Sequence, residues 1–255
     1  MTRSPVPLPA SFLARPIAHR ALHDVTAGRP ENSRAAIHAA IAAGYGIEVD
    51  LQLSKDAQAM VFHDYDLRRL TGQSGPIQQR TSDELGGITL SHGDEGIPTF
   101  EEVLRIVSGR VPLLVEMKDQ DGAMGPRTGQ LEYAVASALA GYAGDVAVMS
   151  FNPHSVAALG ALDPTCALGL TTEAFLEKDN PLLPAATRRY LRDIPDFDRV
   201  KASFISHDIQ DLRSPAVARL KAKGVPVLCW TVKSKAAEIE ARKIADNITF
   251  EGYAA

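Results

Sequence analysis

Cysteine is scarce, clustered positive charge is absent and no long apolar run occurs in this chain. The two cysteines, Cys166 and Cys229, lie in separate apolar stretches with no metal-like spacing, which excludes a disulfide framework and a cysteine zinc site. Both read as buried thiols, with a disulfide as the alternative. No stretch approaches the roughly 18 uninterrupted apolar residues of a membrane-spanning helix. The opening MTRSPVPLPASFLARP contains no apolar segment of the kind a secretory leader needs, so a cytoplasmic protein is expected. Lys and Arg never cluster beyond a pair and the net charge is -4, which argues against a nucleic-acid partner or an anionic-membrane surface. There is no P-loop, no dinucleotide glycine fingerprint and no G-x-S-x-G elbow, so neither a nucleotide cofactor nor a serine nucleophile is supported. Zinc is disfavoured too, because neither HExxH nor His-x-His occurs. His19 and His23 stand four apart, but on a strand running into a loop rather than on a helix.

What is present is enough apolar material for a sizeable core, 45% of 255 residues, arranged in short strand-length runs that alternate with amphipathic stretches. The strand candidates are RPIAHR, YGIEVDLQL, AMVFHD, VPLLVEMK, VAVMSF, CALGLTT, ASFISHD, VPVLCWTV and NITFEG. Ser33 and Gly44 bracket one helix, and Thr99 with Glu102 opens another. Further helices are expected in LEYAVASALAGY, SVAALGAL, SPAVARLKAKG and KAAEIEARKIA. This order predicts an α/β fold, a (β/α)8 TIM barrel, with an open doubly wound sheet as the alternative. Nine candidates for eight places mean that one is not a stave. Two places break the alternation. Only LQLSKDAQ precedes AMVFHD, too little for a crossover helix, so the chain is expected to return in extended form before a further parallel strand. After His63 comes a long Gly-rich excursion, read as a small insertion over about residues 65–98 within one domain spanning 1–255.

Charge gathers where the strands end. In Gly46-Ile47-Glu48-Val49-Asp50-Leu51, Glu48 and Asp50 share a face about 7 Å apart along the strand. Two carboxylates on such a face raise each other's pKa unless a cation lies between them, and hard oxygen ligands select Mg²⁺ or Ca²⁺. A solvated edge pair or ion pairs with neighbouring Lys or Arg are the structural alternatives. In VPLLVEMKD, Glu116 and Lys118 share a face in the same way. Glu116 reads as a third oxygen ligand and Lys118 as a donor to an anionic substrate, unless the two form a plain buried ion pair. His19 and His63 follow their strands, and two neutral imidazoles flanking a reacting bond can serve as base and acid. Arg20 offers a planar fork to phosphate oxygens. The residues therefore read as metal-assisted acid/base chemistry on a phosphate ester. His38, at a helical position, and His154, near a helix start, are expected to be exposed. His92 lies in the excursion, and His207, at the end of ASFISHD, is a weaker candidate for the mouth.

HR at 19–20, PEN at 30–32, EVD at 48–50, HD at 63–64, EMK at 116–118, SFNP at 150–153 and WTV at 230–232 together resemble the glycerophosphodiester phosphodiesterase family over nearly the whole chain. That resemblance implies a phospholipase-C-like phosphodiesterase TIM barrel, with the excursion after the third strand as the family's insertion. It implies hydrolysis of a small-molecule glycerophosphodiester to glycerol 3-phosphate and an alcohol, in lipid and glycerol metabolism. Glu48, Asp50 and Glu116 match the family's ligands for one divalent cation, His19 and His63 its acid/base pair, and Arg20 and Lys118 its phosphate contacts. Glu31 and Asn32 match a supporting motif, although a helix-cap role would also account for them. Trp230 matches an aromatic near the substrate, or is a core aromatic. The sequence departs from the family at Ala21, where glycine is usual, and in the ending Ile248-Thr249-Phe250-Glu251, where Ile-Thr-Asp is usual. A lysophospholipid-type phosphodiesterase, a non-catalytic phosphodiester-binding relative and, more distantly, a metal-dependent amidohydrolase are the rival readings.

Overall fold

The computed structural model describes residues 4–255. Its strands are β1 (Ile17–Ala18), β2 (Gly46–Leu53), β3 (Ala59–Val61), β4 (Leu113–Met117), β5 (Val146–Ser150), β6 (Ala167–Thr172), β7 (Phe204–Asp208), β8 (Val227–Val232) and β9 (Asn247–Phe250). All except β3 are parallel to their neighbours, and β1 pairs with both β2 and β9, which closes an eight-stranded barrel. The helices are α1 (Ser11–Ala14), α2 (Arg34–Ala43), α3 (Arg68–Thr71), α4 (Ser82–Gly86), α5 (Phe100–Val107), α6 (Gln130–Leu139), α7 (Pro153–Ala161), α8 (Ala185–Arg192), α9 (Pro215–Ala222) and α10 (Lys235–Ala241). The fold is a (β/α)8 TIM barrel, as the alternation of runs predicts.

Caps set the helix ends as expected. The Ser33 side chain accepts the N–H of Ala36 at the start of α2, and Gly44 ends it at φ 73°. Thr99 and Glu102 exchange both bonds of a capping box before α5. Four helices have no counterpart in the sequence reading, namely α1, α8 and the short α3 and α4 of the excursion. α8 is mostly polar (AATRRYLR) and buries only Leu191, so it shows no apolar stripe to detect.

The candidate AMVFHD is not a further parallel strand. β3 pairs antiparallel with β2, Leu51 opposite Val61 and Leu53 opposite Ala59. The short turn from Ser54 to Gln58, tied by Ser54 N–H to Gln58 O at 2.9 Å, can join only antiparallel strands. This hairpin arm is the ninth candidate. The excursion that follows folds into α3, α4 and turns, and buries Phe62, Leu67, Leu70, Ile77 and Leu85 in an apolar cluster of its own.

Alternation along the staves sorts side chains into two shells. Ile17, Leu114, Met149, Phe204 and Leu228 meet inside the barrel, joined by Phe12 of α1. Phe204 lies so close to Gly169 that a Cβ there would fall 2.3 Å from its ring. Val49, Val115, Val148, Ile205 and Cys229 point outward and pack with helix residues. Asn247, the first residue of β9, donates to the carbonyls of Phe12 and Arg15, which seats α1 across the N-terminal ends of the strands. Cys166 and Cys229 are both buried thiols, and burial pushes Cys229 up to about 12. Among the described residues, no helix is long and apolar enough to cross a membrane.

Candidate active site

At the opposite, C-terminal end the inward positions turn acidic. β2 and β4 are neighbours in a register that sets Asp50 opposite Glu116, with Glu48 one inward position below on β2. Their carboxylate oxygens come within 4.8 Å of one another, although the residues are 2%, 1% and 6% exposed. Lys118 Nζ reaches Asp50 Oδ1 at 2.7 Å and Glu116 Oε1 at 2.5 Å. One ammonium thus faces three buried carboxylates, and the electrostatics follow. Burial, with the charges of Asp50 and Glu116, pushes Glu48 well above the usual carboxylate range. Burial acts on Asp50 in the same sense, but Lys118, His63 and Arg20 outweigh it and hold Asp50 well below that range. The residual negative charge and the all-oxygen donor set fit a hard divalent cation.

The loop after β1 wraps this cluster. Arg20, Ala21 and Asn32 have φ of 52°, 64° and 59°, in the left-handed region. This turns the Arg20 N–H onto Glu48 Oε2 at 2.8 Å and the Ala21 N–H onto Glu48 O at 2.9 Å. Asn32, itself buried, donates to Asp50 Oδ2 at 2.9 Å and accepts the Asp50 N–H at 3.3 Å. Ala21 therefore keeps the backbone conformation that glycine would allow. The Arg20 guanidinium donates to Glu31 at 2.7 Å, while its Nε is buried without a hydrogen-bond partner, 3.6 Å from Asp50 Oδ2.

Each of the two histidines has a carboxylate on Nδ1. His63 Nδ1 lies 2.7 Å from Asp64 Oδ1. Asp64 is gripped by Arg69, which also grips Glu31, so His63 and Arg20 belong to one continuous network. Burial raises the Asp64 pKa, but bonds from His63 and Arg69 carry it well below the usual range. His19 Nδ1 lies 2.6 Å from Glu251 Oε2. Burial lowers the His19 pKa, against the opposing pull of Glu251, which favours the neutral ring. The sequence reading missed Arg69 and gave Glu251 no role. Only their positions after folding reveal them, since His19 and Glu251 are 232 residues apart.

The match to the glycerophosphoryl diester phosphodiesterase family runs over residues 19–248, most of the chain and all but one of the groups just described. The chain belongs to that family. It is 26% identical over 244 residues to the YhdW protein of Bacillus subtilis (strain 168), covering 91% of this chain and 93% of that one. Its fold matches a phosphodiesterase from Oleispira antarctica, solved with the product sn-glycerol 3-phosphate, at a TM-score of 0.76 and 24% identity, covering 94% of each chain. A glycerophosphodiester phosphodiesterase from Parabacteroides distasonis matches at 0.72 and 25% identity, covering 92% of this chain and 91% of that one.

In this phosphodiesterase the remaining family motifs lie around the same mouth. Ser150 of SFNP donates to Met117 O at 2.7 Å, and Asn152 caps α7 while donating to Asp119 at 2.8 Å, so that motif braces the loop after Lys118. Trp230 is half-buried near the end of β8, its ring edge-on to Phe151 with centroids 5.6 Å apart. Its indole N–H is already committed to Ser206 O at 3.1 Å, which leaves the ring to act as an apolar wall. His207 does not face the mouth. Its register partners are Thr172 and Cys229, on the outward side, and its ring bonds Thr172 Oγ1 at 2.7 Å and Asp211 at 3.2 Å. His38 is exposed as expected, and His92 in the excursion is exposed too. His154 is half-buried instead, because it lies in the first turn of α7, with its N–H on Asn152 Oδ1.

Proposed function

We propose that this phosphodiesterase hydrolyses glycerophosphodiesters to glycerol 3-phosphate and an alcohol, using His19 and His63 as its acid/base pair. The observation that carries the reading is the three-carboxylate cluster with two imidazoles close enough to interact with Asp50, each imidazole held at Nδ1 by a carboxylate. The Oleispira protein of the same fold holds the corresponding product, which supports a small phosphate-ester ligand. Glu48, Asp50 and Glu116 would hold one divalent cation, Mg²⁺ or Ca²⁺. When bound, it supplies positive charge that polarises the phosphoryl oxygens and favours ionisation of a nearby hydroxyl.

This chain's own groups do the rest. The unpartnered Nε–H of Arg20 and the ammonium of Lys118 are donors for the non-bridging oxygens of the phosphodiester. Bound at Nδ1, each histidine has Nε2 available for proton transfer. One imidazole accepts the proton of the glycerol 2-hydroxyl as its oxygen attacks phosphorus, and the other gives a proton to the departing alcohol oxygen. The roles reverse when water opens the cyclic phosphate. Trp230 and Phe151 form the apolar wall beside the substrate, while Glu31 and Asn32 fix Arg20 and Asp50.

The test is release of glycerol 3-phosphate from a panel of glycerophosphodiesters and lysophospholipids, with EDTA or with added Mg²⁺ or Ca²⁺. We expect cation-dependent release from the small deacylated diesters, and a loss of roughly 10²-fold or more in turnover for His63→Ala with the fold retained. Release from no member of the panel, or wild-type turnover in His63→Ala, overturns the reading. Preferential release from lysophospholipids would move the substrate class and keep the chemistry.

A further inference from the structure

Glu251 follows β9, and its backbone N–H is pinned to Val232 O at 3.0 Å, so the side chain leaves the barrel rim from a fixed point. Its two oxygens are both engaged. Oε2 lies 2.6 Å from His19 Nδ1 and 3.6 Å from His23 Nε2, and Oε1 lies 2.7 Å from Lys233 Nζ. A carboxylate is acceptor-only, so the proton of the short contact belongs to Nδ1 and the lone pair of the neutral ring belongs to Nε2. The carboxylate itself stays ionised, because the bonds from His19 and His23 outweigh burial and hold it far below the usual range.

We infer that Glu251 is a positioning residue for His19. It fixes the tautomer that leaves Nε2 free to take a proton, and it stabilises the imidazolium once that proton has arrived. This rests on His19 being one of the acid/base pair. The proton moves from the substrate hydroxyl to Nε2 while the Nδ1 proton stays in place, so Glu251 is never protonated. Asp64, anchored by Arg69, stands to His63 as Glu251, anchored by Lys233, stands to His19. The ending that departs from the usual family pattern thus supplies a working group.

Glutamine at 251 keeps the size and can offer an N–H to Nδ1, which favours the wrong tautomer. For Glu251→Gln we expect kcat to fall by roughly 10²-fold with KM changed by less than about threefold, since the contact matters when charge develops on the ring. Glu251→Asp should recover at least about tenfold of that loss, because the charge and acceptor return. In ¹⁵N–¹H spectra of the imidazoles, His19 should carry its proton on Nδ1 in the wild type and shift toward Nε2–H in Glu251→Gln. His19→Ala, measured alongside, separates the failures. If His19→Ala turns over normally, the acid/base reading itself falls. If His19→Ala is inactive while Glu251→Gln stays within about threefold of wild-type kcat, or Glu251→Asp is no better than Glu251→Gln, the positioning role alone is overturned. An Nε2–H tautomer of His19 in the wild type overturns it without any variant.

Discussion

Ala21 shows how one residue bears the geometry of the site. Its φ of 64° costs a non-glycine residue about 1–2 kcal/mol, and the conformation persists because Arg20 and Ala21 both give their N–H groups to Glu48. Ala21→Gly should relieve that strain, but an unfolded-state penalty of about 0.4–1 kcal/mol and the loss of a buried methyl worth about 0.8 kcal/mol offset it, so stability should stay within about 1 kcal/mol of wild type. Urea denaturation measures it, and a loss well above about 1 kcal/mol would show the strain to be absent. At this scale the sequence was informative about groups whose position follows from strand alternation, such as Glu48, Asp50 and Glu116. It was silent about Arg69, which joins nearby Asp64 to Glu31, 38 residues away, and about Lys233, whose partner Glu251 lies beyond α10 and β9. An arginine in the short α3, next to Arg68, carries no sign that it will span Glu31 and Asp64.

Among the elements, β2 concentrates the conflict of charge. A carboxyl whose folded pKa lies above its unfolded value gives stability that is lost as pH rises, so the ionisation of Glu48 works against the fold at neutral pH. In EDTA, Glu48→Gln should therefore melt at or above the wild-type temperature. A divalent cation at about 100 times its dissociation constant should stabilise the wild type by about 2.7 kcal/mol, and the variant by much less. Thermal melts with EDTA, Mg²⁺ and Ca²⁺ decide this, and an equal cation response in both proteins would reassign Glu48. Helices with strong caps, α2 and α5, could be read from the sequence because the cap chemistry is local. β3 was misassigned as parallel because a run of three or four apolar residues has no direction of its own, and the tight turn before it decides the pairing. α8 escaped notice for want of an apolar stripe.

Over the whole molecule, the barrel was legible because alternating runs repeat through the chain, whereas its closure rests on β1, which contributes only two ladder residues. The rim is laced by depressed carboxylates, Asp50, Asp64 and Glu251, and their linkage has one sign. A carboxyl with a lowered folded pKa stabilises above its unfolded value of about 4, and that contribution is lost as pH falls toward the folded value. Asp64→Asn should thus be less stable than wild type by the order of 1–2 kcal/mol at pH 7, and the gap should narrow by about pH 3. Denaturation curves at the two pH values check it, and a gap independent of pH would rule out the charge as its source. One consequence lies at the other end of the barrel. Phe204, Leu228, Leu114 and the Phe12 of α1 fill the bore beneath the carboxylates, so the reaction chamber has a single doorway. Whatever enters must leave by the same route, so on the proposed reading both products would have to clear one mouth before the next substrate could enter.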